Sequence, residues 1–557
     1  MRARETVNGI TTRAFAGSTG VLLGMNVTDK MRKGLLGFAI RREDVKRKET
    51  EWLQNLLRFE GEAAEKGEAR TPIDSDQAPF QKFRWSDYRV YPGRDYRYTV
   101  HAAYAGAGNG LKLEEGPTLS VTTARTDKGE HRVLFNRAAA ASQAFSRKFP
   151  NVEAEMSEHL RKMRSLPKEE RTDFELPPEV REWLTRGVLE QIVGFIDSAK
   201  GAGDALDIAI YEYELEEIAA AVERAHQRGV QVRVVYHGKV KDEQTKENEH
   251  MLRGLPDEAK RPRVTNAICH HKFIVHSRVK NGERKPQRVL CGSTNFTHNG
   301  VYRQANVVHV VEKEEAAAAY LQLFEVLWSR ENPAATRKWI DEHNPMKAGE
   351  DLFIGFSPRS KLKDIDFFVD VVKAAKRDVL FCTAFGLHEK VRTALLGQPN
   401  DPILRFGMEN KRSEITGFHA DRTADFSATA FLKEGLEGFL KESTAGQRGN
   451  ILIHTKLVVV DFTSDTPTVI SGSHNLSNNA SGNNDENYLI VCDNPDVADV
   501  YGCELMRLYD HYRFRFAAKG GVTGGKPLAL SRDDSWTDQY YVKDSLPFRD
   551  RLFFSGT

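Results

Sequence analysis

A chain of 557 residues is longer than one hydrophobic core organises, and its length predicts about three domains. Its 81 Lys and Arg against 79 Asp and Glu leave a formal charge of +2, which argues against a general polyanion binder while leaving room for a local basic cleft. Hydrophobic content is ordinary at 40%, no apolar run approaches membrane-spanning length, and no apolar segment follows a basic start, so the expectation is a soluble chain without signal peptide or transmembrane segment.

From the N-terminus, residues 1–125 alternate apolar and polar positions between turn signals at Pro92-Gly93 and 106–110, which predicts short antiparallel strands. The run Tyr96-Arg97-Tyr98-Thr99-Val100 resembles a strand of a fibronectin type III sandwich, with Trp85 as a core aromatic. The expectation for 1–125 is a β-sandwich accessory domain, either a packing appendage or a module that recruits a protein partner. Residues 136–149 predict an amphipathic helix with Phe145 and Phe149 on one side, and the stretches 161–171 and 239–250 predict solvated, charge-rich segments.

Two regions then share one plan. Residues 206–211 predict a strand, 218–226 a helix and 229–236 a second strand; later, 378–385, 390–396 and 404–408 repeat the order. The predicted domains are 126–345 and 346–557, with Gly355-Phe356-Ser357-Pro358 opening the second after a linker that holds Asn332-Pro333 and Asn344-Pro345. Each carries the same cassette: His270-His271-Lys272 followed by Gly292-Ser293-Thr294-Asn295, and His454-Thr455-Lys456 followed by Gly472-Ser473-His474-Asn475. On a strand, His and Lys two residues apart face the same side, which puts a nucleophile or acid beside a fixed positive charge. Gly292 and Gly472 are expected to let a phosphate approach, with Ser293, Asn295, Ser473 and Asn475 donating to it. Two His, two Lys, two Ser and two Asn suit a pentacoordinate phosphoryl centre.

These cassettes resemble those of the phospholipase D superfamily, whose pattern is His-x-Lys-x4-Asp with a downstream Gly-Ser-x-Asn. The second copy matches in full, with Asp461 at the Asp position; the first has Ser277 there. In the family that Asp is mainly structural, and the tyrosyl-DNA phosphodiesterase branch lacks it. The resemblance implies two similar αβα lobes with mixed sheets about a pseudo-twofold axis, and an active site at their seam. One chain then suffices for one site. Ungapped counting from the two Gly-Ser pairs sets Asn306 opposite Glu486, so Glu486 is expected to orient His454. The resemblance implies a two-step reaction without metal or cofactor, with His270 as nucleophile, His454 as acid and then base, and Lys272 and Lys456 on the nonbridging oxygens.

The cassettes recognise only a phosphodiester. The favoured reading is a nuclease-like phosphodiesterase, because the segment 409–448, with Lys411, Arg412, Phe418, His419, Arg422 and Phe426, would border the cleft and mixes aromatic with basic residues. The alternatives are a phospholipase D acting on glycerophospholipids and, given Ser277 and Asn306, a catalytically impaired phosphate-binding scaffold. The similar run 509–515 is more simply a helix docked on the core. Cys269, His270, His271 and His276 raise the question of a metal, but neighbours on a strand alternate faces and no Cys-x-x-Cys accompanies them, so no metal is expected. Five cysteines, mostly inside predicted strands, point to reduced thiols and a cytoplasmic chain.

Overall fold

The computed structural model describes residues 2–62, 71–108, 110–137, 145, 148–167, 170, 174–265, 267–330, 332–398, 401–409, 424–428, 453–518 and 529–557. Near the N-terminus, two four-stranded antiparallel sheets share one apolar core. Phe38, Tyr98 and Val100 of one sheet meet Ala14, Leu23 and Met25 of the other. The run 96–100 lies within the strand Asp95–Ala105, and Trp85 stacks on Phe80 at 3.7 Å.

The predicted duplication shows in strand order. In the first lobe the strands are β1 (His131–Phe135), β2 (Asp204–Ile210), β3 (Gln231–Gly238), β4 (Lys260–Val264), β5 (Lys272–Lys280), β6 (Glu283–Gly292) and β7 (Val307–Val311). In the second they are β8 (Leu352–Ser357), β9 (Asp378–Thr383), β10 (Leu404–Glu409), β11 (Ala424–Ala428), β12 (Lys456–Val460), β13 (Thr468–Gly472) and β14 (Glu486–Cys492). The first sheet runs β1-β7-β6-β5-β2-β3-β4 and the second β8-β14-β13-β12-β9-β10-β11, the same permutation of strands. Each is mixed: β2, β3 and β4 are parallel, as are β9, β10 and β11, and the remaining pairs are antiparallel. The parallel pairs need crossovers, which the helices Glu216–Gln227 and Glu389–Leu396 supply in the two lobes. Strands β2, β9 and β12 are buried along their whole length, and β5 over its first six residues, because both faces of each sheet are covered.

Each lobe's last strand leads into a helix, α1 (Glu314–Trp328) and α2 (Pro495–Ala518), and these two helices tie the lobes together. Tyr320 of α1 packs on Phe356 of the second lobe at 5.2 Å between ring centroids and receives a hydrogen bond from Asn487 at 3.4 Å. Tyr501 of α2 packs on Phe135 of the first lobe at 5.4 Å and bonds His309 at 3.0 Å. The run 509–515 lies in α2: Tyr509 is buried against Phe406 at 5.0 Å and Asp510 pairs with Arg84.

The chain's end returns to its beginning. Trp536, Tyr540 and Tyr541 pack on the N-terminal core, and Arg84 bridges Asp510 of α2 and Asp550 of the closing helix Leu546–Ser555. Phe15 stacks on Phe462 of the second lobe at 4.9 Å. Among the described residues, no helix is long and apolar enough to cross a membrane. The five cysteines are free thiols.

Candidate active site at the seam of the two lobes

Each His-x-Lys cassette stands at the start of a central strand, β5 or β12, and the segment before it crosses to the other lobe. Cys269 forms a bridge with Asp485 of the second lobe, and the His270 N–H donates to the Asp485 carbonyl at 2.8 Å. By the same pattern Ile453 bridges Ala305 of the first lobe, and the His454 N–H donates to the Ala305 carbonyl at 2.9 Å. Arg263 of β4 locks this seam, meeting both oxygens of the buried Asp485 carboxylate at 2.9 and 3.1 Å. The two imidazoles then face one another, with ring centroids 6.4 Å apart.

The crossing reverses one expectation. Glu486 does not orient His454; its Oε2 lies 2.7 Å from Nδ1 of His270. Nδ1 of His454 instead meets Oδ1 of Asn306 at 2.9 Å and the Ser293 carbonyl at 3.2 Å. Counting along the sequence aligns equivalent positions within each lobe, but the exchange at the seam delivers each supporting group to the other lobe's histidine. A carbonyl only accepts, so Nδ1 of His454 carries the hydrogen; a carboxylate asks the same of His270. Both Nε2 atoms are thereby left for chemistry.

The supports are themselves held. Asn306 donates through Nδ2 to the Gly300 carbonyl at 2.9 Å, which turns Oδ1 towards His454, and its N–H donates to Asn136 at 2.9 Å. Glu486 receives Asn484 Nδ2 at 3.2 Å and the Ser473 hydroxyl at 2.5 Å. The Ser293 hydroxyl donates to Asn306 Oδ1 at 2.8 Å. Both serines were expected to face a phosphate; their hydroxyls stand behind the histidines' supports. Gly292 and Gly472 also serve another purpose than expected. Both have strongly positive φ, 150° and 153°, and a Cβ would lie 2.2 Å from the Val307 carbonyl oxygen or 2.4 Å from that of Asn487. Glycine is required there by the neighbouring strand's backbone.

Lys272 and Lys456 are buried, and each ammonium donates to the carbonyl of its cassette histidine, at 2.8 and 2.6 Å. Each also lies near an aromatic ring, Lys272 5.3 Å from the Tyr211 centroid and Lys456 5.7 Å from that of Phe385. Burial pulls Lys272 down to about 8 against the pull of Glu486 and Glu212, and burial with the charge of Lys272 brings Lys456 well below its ordinary value. Burial and the two ammoniums likewise hold His270 and His454 well below the usual imidazole range, so both are neutral. Burial raises the Glu486 carboxyl. Two lysines buried in one pocket make a site for an anion, whose charge favours the ammonium form of both.

Asn295 donates through Nδ2 to Glu212, a residue that sequence reasoning did not single out. Its only signal was position, just beyond β2. The carboxamide oxygens of Asn295 and Asn475 are buried without a hydrogen-bond partner.

The two lobes anchor their cassettes differently. Asp461 accepts the backbone N–H groups of Lys376, Arg377 and Asp378 at 2.9, 2.7 and 3.3 Å, tying β12 to β9. Ser277 is buried with an unpaired hydroxyl and ties nothing through its side chain. The first lobe uses Asp204, which meets His276 at 3.0 Å, Arg278 at 2.7 Å and the Lys200 N–H at 2.7 Å. His276 is thus committed to Asp204, while His271 turns to Asn487 at 3.4 Å, so neither stands with His270.

The segment 410–423 with Lys411, Arg412, Phe418, His419 and Arg422, and residues 429–448, lie outside the described residues, as does the side chain of Phe426; so do 138–144 and 146–147 of the helix expected over 136–149.

Residues 192–328, which hold the first cassette, match the family model described as "Cardiolipin synthase, PLD-like domain". The match places a phospholipase D-like domain in the first lobe. No curated protein matches the sequence. Among solved structures, the chain is similar to polyphosphate kinase from Porphyromonas gingivalis, with 14% identity over 59% of this chain and 50% of that one and a TM-score of 0.38. The chain thus spans half the length of that protein. It is also similar to phosphatidylserine synthase of Haemophilus influenzae Rd KW20, with 12% identity over 59% and 84% of the two chains and a TM-score of 0.41. A third similarity is to Nuc from Salmonella typhimurium, a phospholipase D family member, with 22% identity over 25% and 86% and a TM-score of 0.22.

Proposed function

We propose that this chain is a phosphodiesterase acting through a phosphohistidine, without metal, on nucleic acid. The observation that carries the reading is the pair of facing neutral imidazoles, each with Nδ1 held from behind, between two buried ammoniums.

The substrate's phosphoryl oxygens lie against Lys272 and Lys456, whose ammonium forms the anion favours, while Asn475 and the second N–H of the Asn295 amide add donors. Once the bound anion has raised its proton affinity, His454 takes up a proton from solvent at Nε2; Nε2 of His270 then attacks phosphorus as the bond to the leaving oxygen breaks, and that oxygen takes the Nε2 proton of His454. Water then gives a proton to His454 and attacks phosphorus, and the phosphorus–nitrogen bond breaks. The supports favour this assignment of roles. Glu486 places a carboxylate behind His270, which strengthens it as a nucleophile and balances the positive charge of a phosphohistidine. Asn306 places a neutral amide behind His454, which leaves that imidazole the better acid once an anionic substrate has raised its basicity.

One chain supplies both halves of the site, so a monomer is sufficient. The free thiols accord with a cytoplasmic location. The two-sheet N-terminal unit fits a fibronectin type III-like sandwich, and its contacts with α2 and the closing helix support a packing role over recruitment of a partner.

The test is hydrolysis in EDTA of single-stranded DNA, double-stranded DNA, RNA and phosphatidylcholine vesicles, each beside a His454→Ala control. The expected result is cleavage of nucleic acid that the variant lacks. Release of choline with nucleic acid intact would establish a phospholipase D instead, and silence on every diester would leave a phosphate-binding scaffold.

A further inference from the structure

The pseudo-symmetry of the site fails at one pair of rim positions. Glu212 and Phe385 each stand two residues beyond the strand that supports the cassette, β2 or β9. The following backbone confirms their equivalence: the Leu215 N–H donates to the Phe296 carbonyl at 2.9 Å and the His388 N–H to the Leu476 carbonyl at 2.8 Å, and Phe296 and Leu476 each follow the cassette Asn. In the first lobe this position is a carboxylate that holds the Asn295 amide. In the second it is a phenyl ring.

That ring is 43% exposed, whereas Phe353, Phe356, Phe368 and Phe381 of the same lobe are buried. It stands 6.1 Å from His454 between ring centroids, at 87°, with the Lys456 ammonium 5.7 Å from its centroid. The first lobe also has a ring beside its histidine, Tyr211, 5.2 Å from His270. Tyr211 is only 5% exposed and is packed between Lys272 and His237, so it offers no face to a substrate. One side of the cleft therefore presents an open aromatic face and the other a carboxylate. An acyl chain gains by burying a continuous apolar surface; a single ring among charged groups matches a flat, polar-edged heterocycle, which stacks without giving up its hydrogen bonds to water.

We propose that Phe385 is the stacking platform for the nucleobase next to the scissile phosphate on the leaving-group side. The substrate then lies across the seam in one direction, with phosphorus between His270 and His454, the leaving nucleoside against the second lobe, and Glu212 turning phosphate charge away from the first. The inference rests on the nucleic-acid reading given above and names a specificity residue for it.

The test uses the full chain in EDTA with short single-stranded DNAs that carry one defined cleavable diester, an abasic residue being placed on one side of it or the other. Phe385→Ala is expected to raise KM roughly ten- to a hundredfold on the intact strand, the size of one lost base stack, with little change in kcat, and Phe385→Trp to restore it. The abasic residue is expected to impose the same loss on the wild type from one side only, and Phe385→Ala to add nothing on that substrate. Equal KM values for variant and wild type, or equal losses on intact and abasic strands, would overturn the role of Phe385 while leaving the nuclease reading in place. A wild type that cleaves no nucleic acid but releases choline from phosphatidylcholine vesicles would overturn both.

Discussion

The two lobes repeat one strand order and one cassette, yet they differ wherever a charge supports the site. Glu486 in the second lobe corresponds to Asn306 in the first, Asp461 to Ser277, and Phe385 to Glu212. The duplicated part is what the backbone dictates: register, the glycines at positive φ, and the His-x-Lys spacing. The parts that differ are those that set proton affinity and shape, so a symmetric frame holds two histidines in unequal surroundings. Because the supports cross the seam, neither lobe holds a complete half of the chemistry.

The largest test of that inequality removes the histidines themselves. His270→Ala and His454→Ala are each expected to lower kcat roughly ten-thousandfold, since nucleophile and acid act as a unit. With an activated aryl leaving group, which needs no acid, His454→Ala should still accumulate an acid-labile phosphoprotein and His270→Ala none. The opposite labelling would exchange the two roles.

Next come the supports. Glu486→Gln keeps the hydrogen bond to His270 but removes the charge, and kcat is expected to fall roughly a hundredfold, within the range for loss of a partner that orients a functional imidazole. Asn306→Asp gives His454 a carboxylate of its own and should cost less than tenfold while shifting the pH profile. Equal effects of the two changes would mean that the lobes are equivalent after all.

The pH dependence follows from the buried lysines. Lys272 is cationic below about 8 and neutral above it, so kcat/KM, which reports the free enzyme, should fall as pH rises through about 8. The alkaline fall in kcat should lie at higher pH, because a bound diester anion favours the ammonium. Lys272→Arg, which stays charged, should flatten the alkaline limb if that lysine is responsible.

The smallest effects compare the two anchors. Asp461→Ala leaves three backbone N–H groups without their acceptor and is expected to destabilise by about 2 kcal/mol. Ser277→Ala removes a buried hydroxyl that has no partner and should lie within about 0.5 kcal/mol of the parent, or stabilise. Midpoints of urea unfolding would separate them, and Asp204→Ala should resemble Asp461→Ala rather than Ser277→Ala.

Much of this was legible along the chain. The two cassettes, the strand–helix–strand units around them and the buried strands are local patterns, because side-chain alternation and crossover connections act over a few residues. The predicted strand at 378–385 ends instead at Thr383, and the two residues that leave the sheet carry Phe385 to the rim. Tyr509 of the run 509–515 went to the core because α2 packs between the sheets, where Tyr501 and Tyr509 meet the two lobes.

Sequence alone was enough to expect that His270, Lys272, His454 and Lys456 meet at one seam, since a repeated spacing places like groups on like strands. It was not enough to say which group stands behind which histidine, that the serine hydroxyls face away from a phosphate, that Asp204 replaces the missing anchor, or that Glu212 and Phe385 share a rim. Those depend on how the two sheets meet across a shared core. Only packing sets that relation, because residues hundreds apart in the chain carry no common period that would reveal their contact.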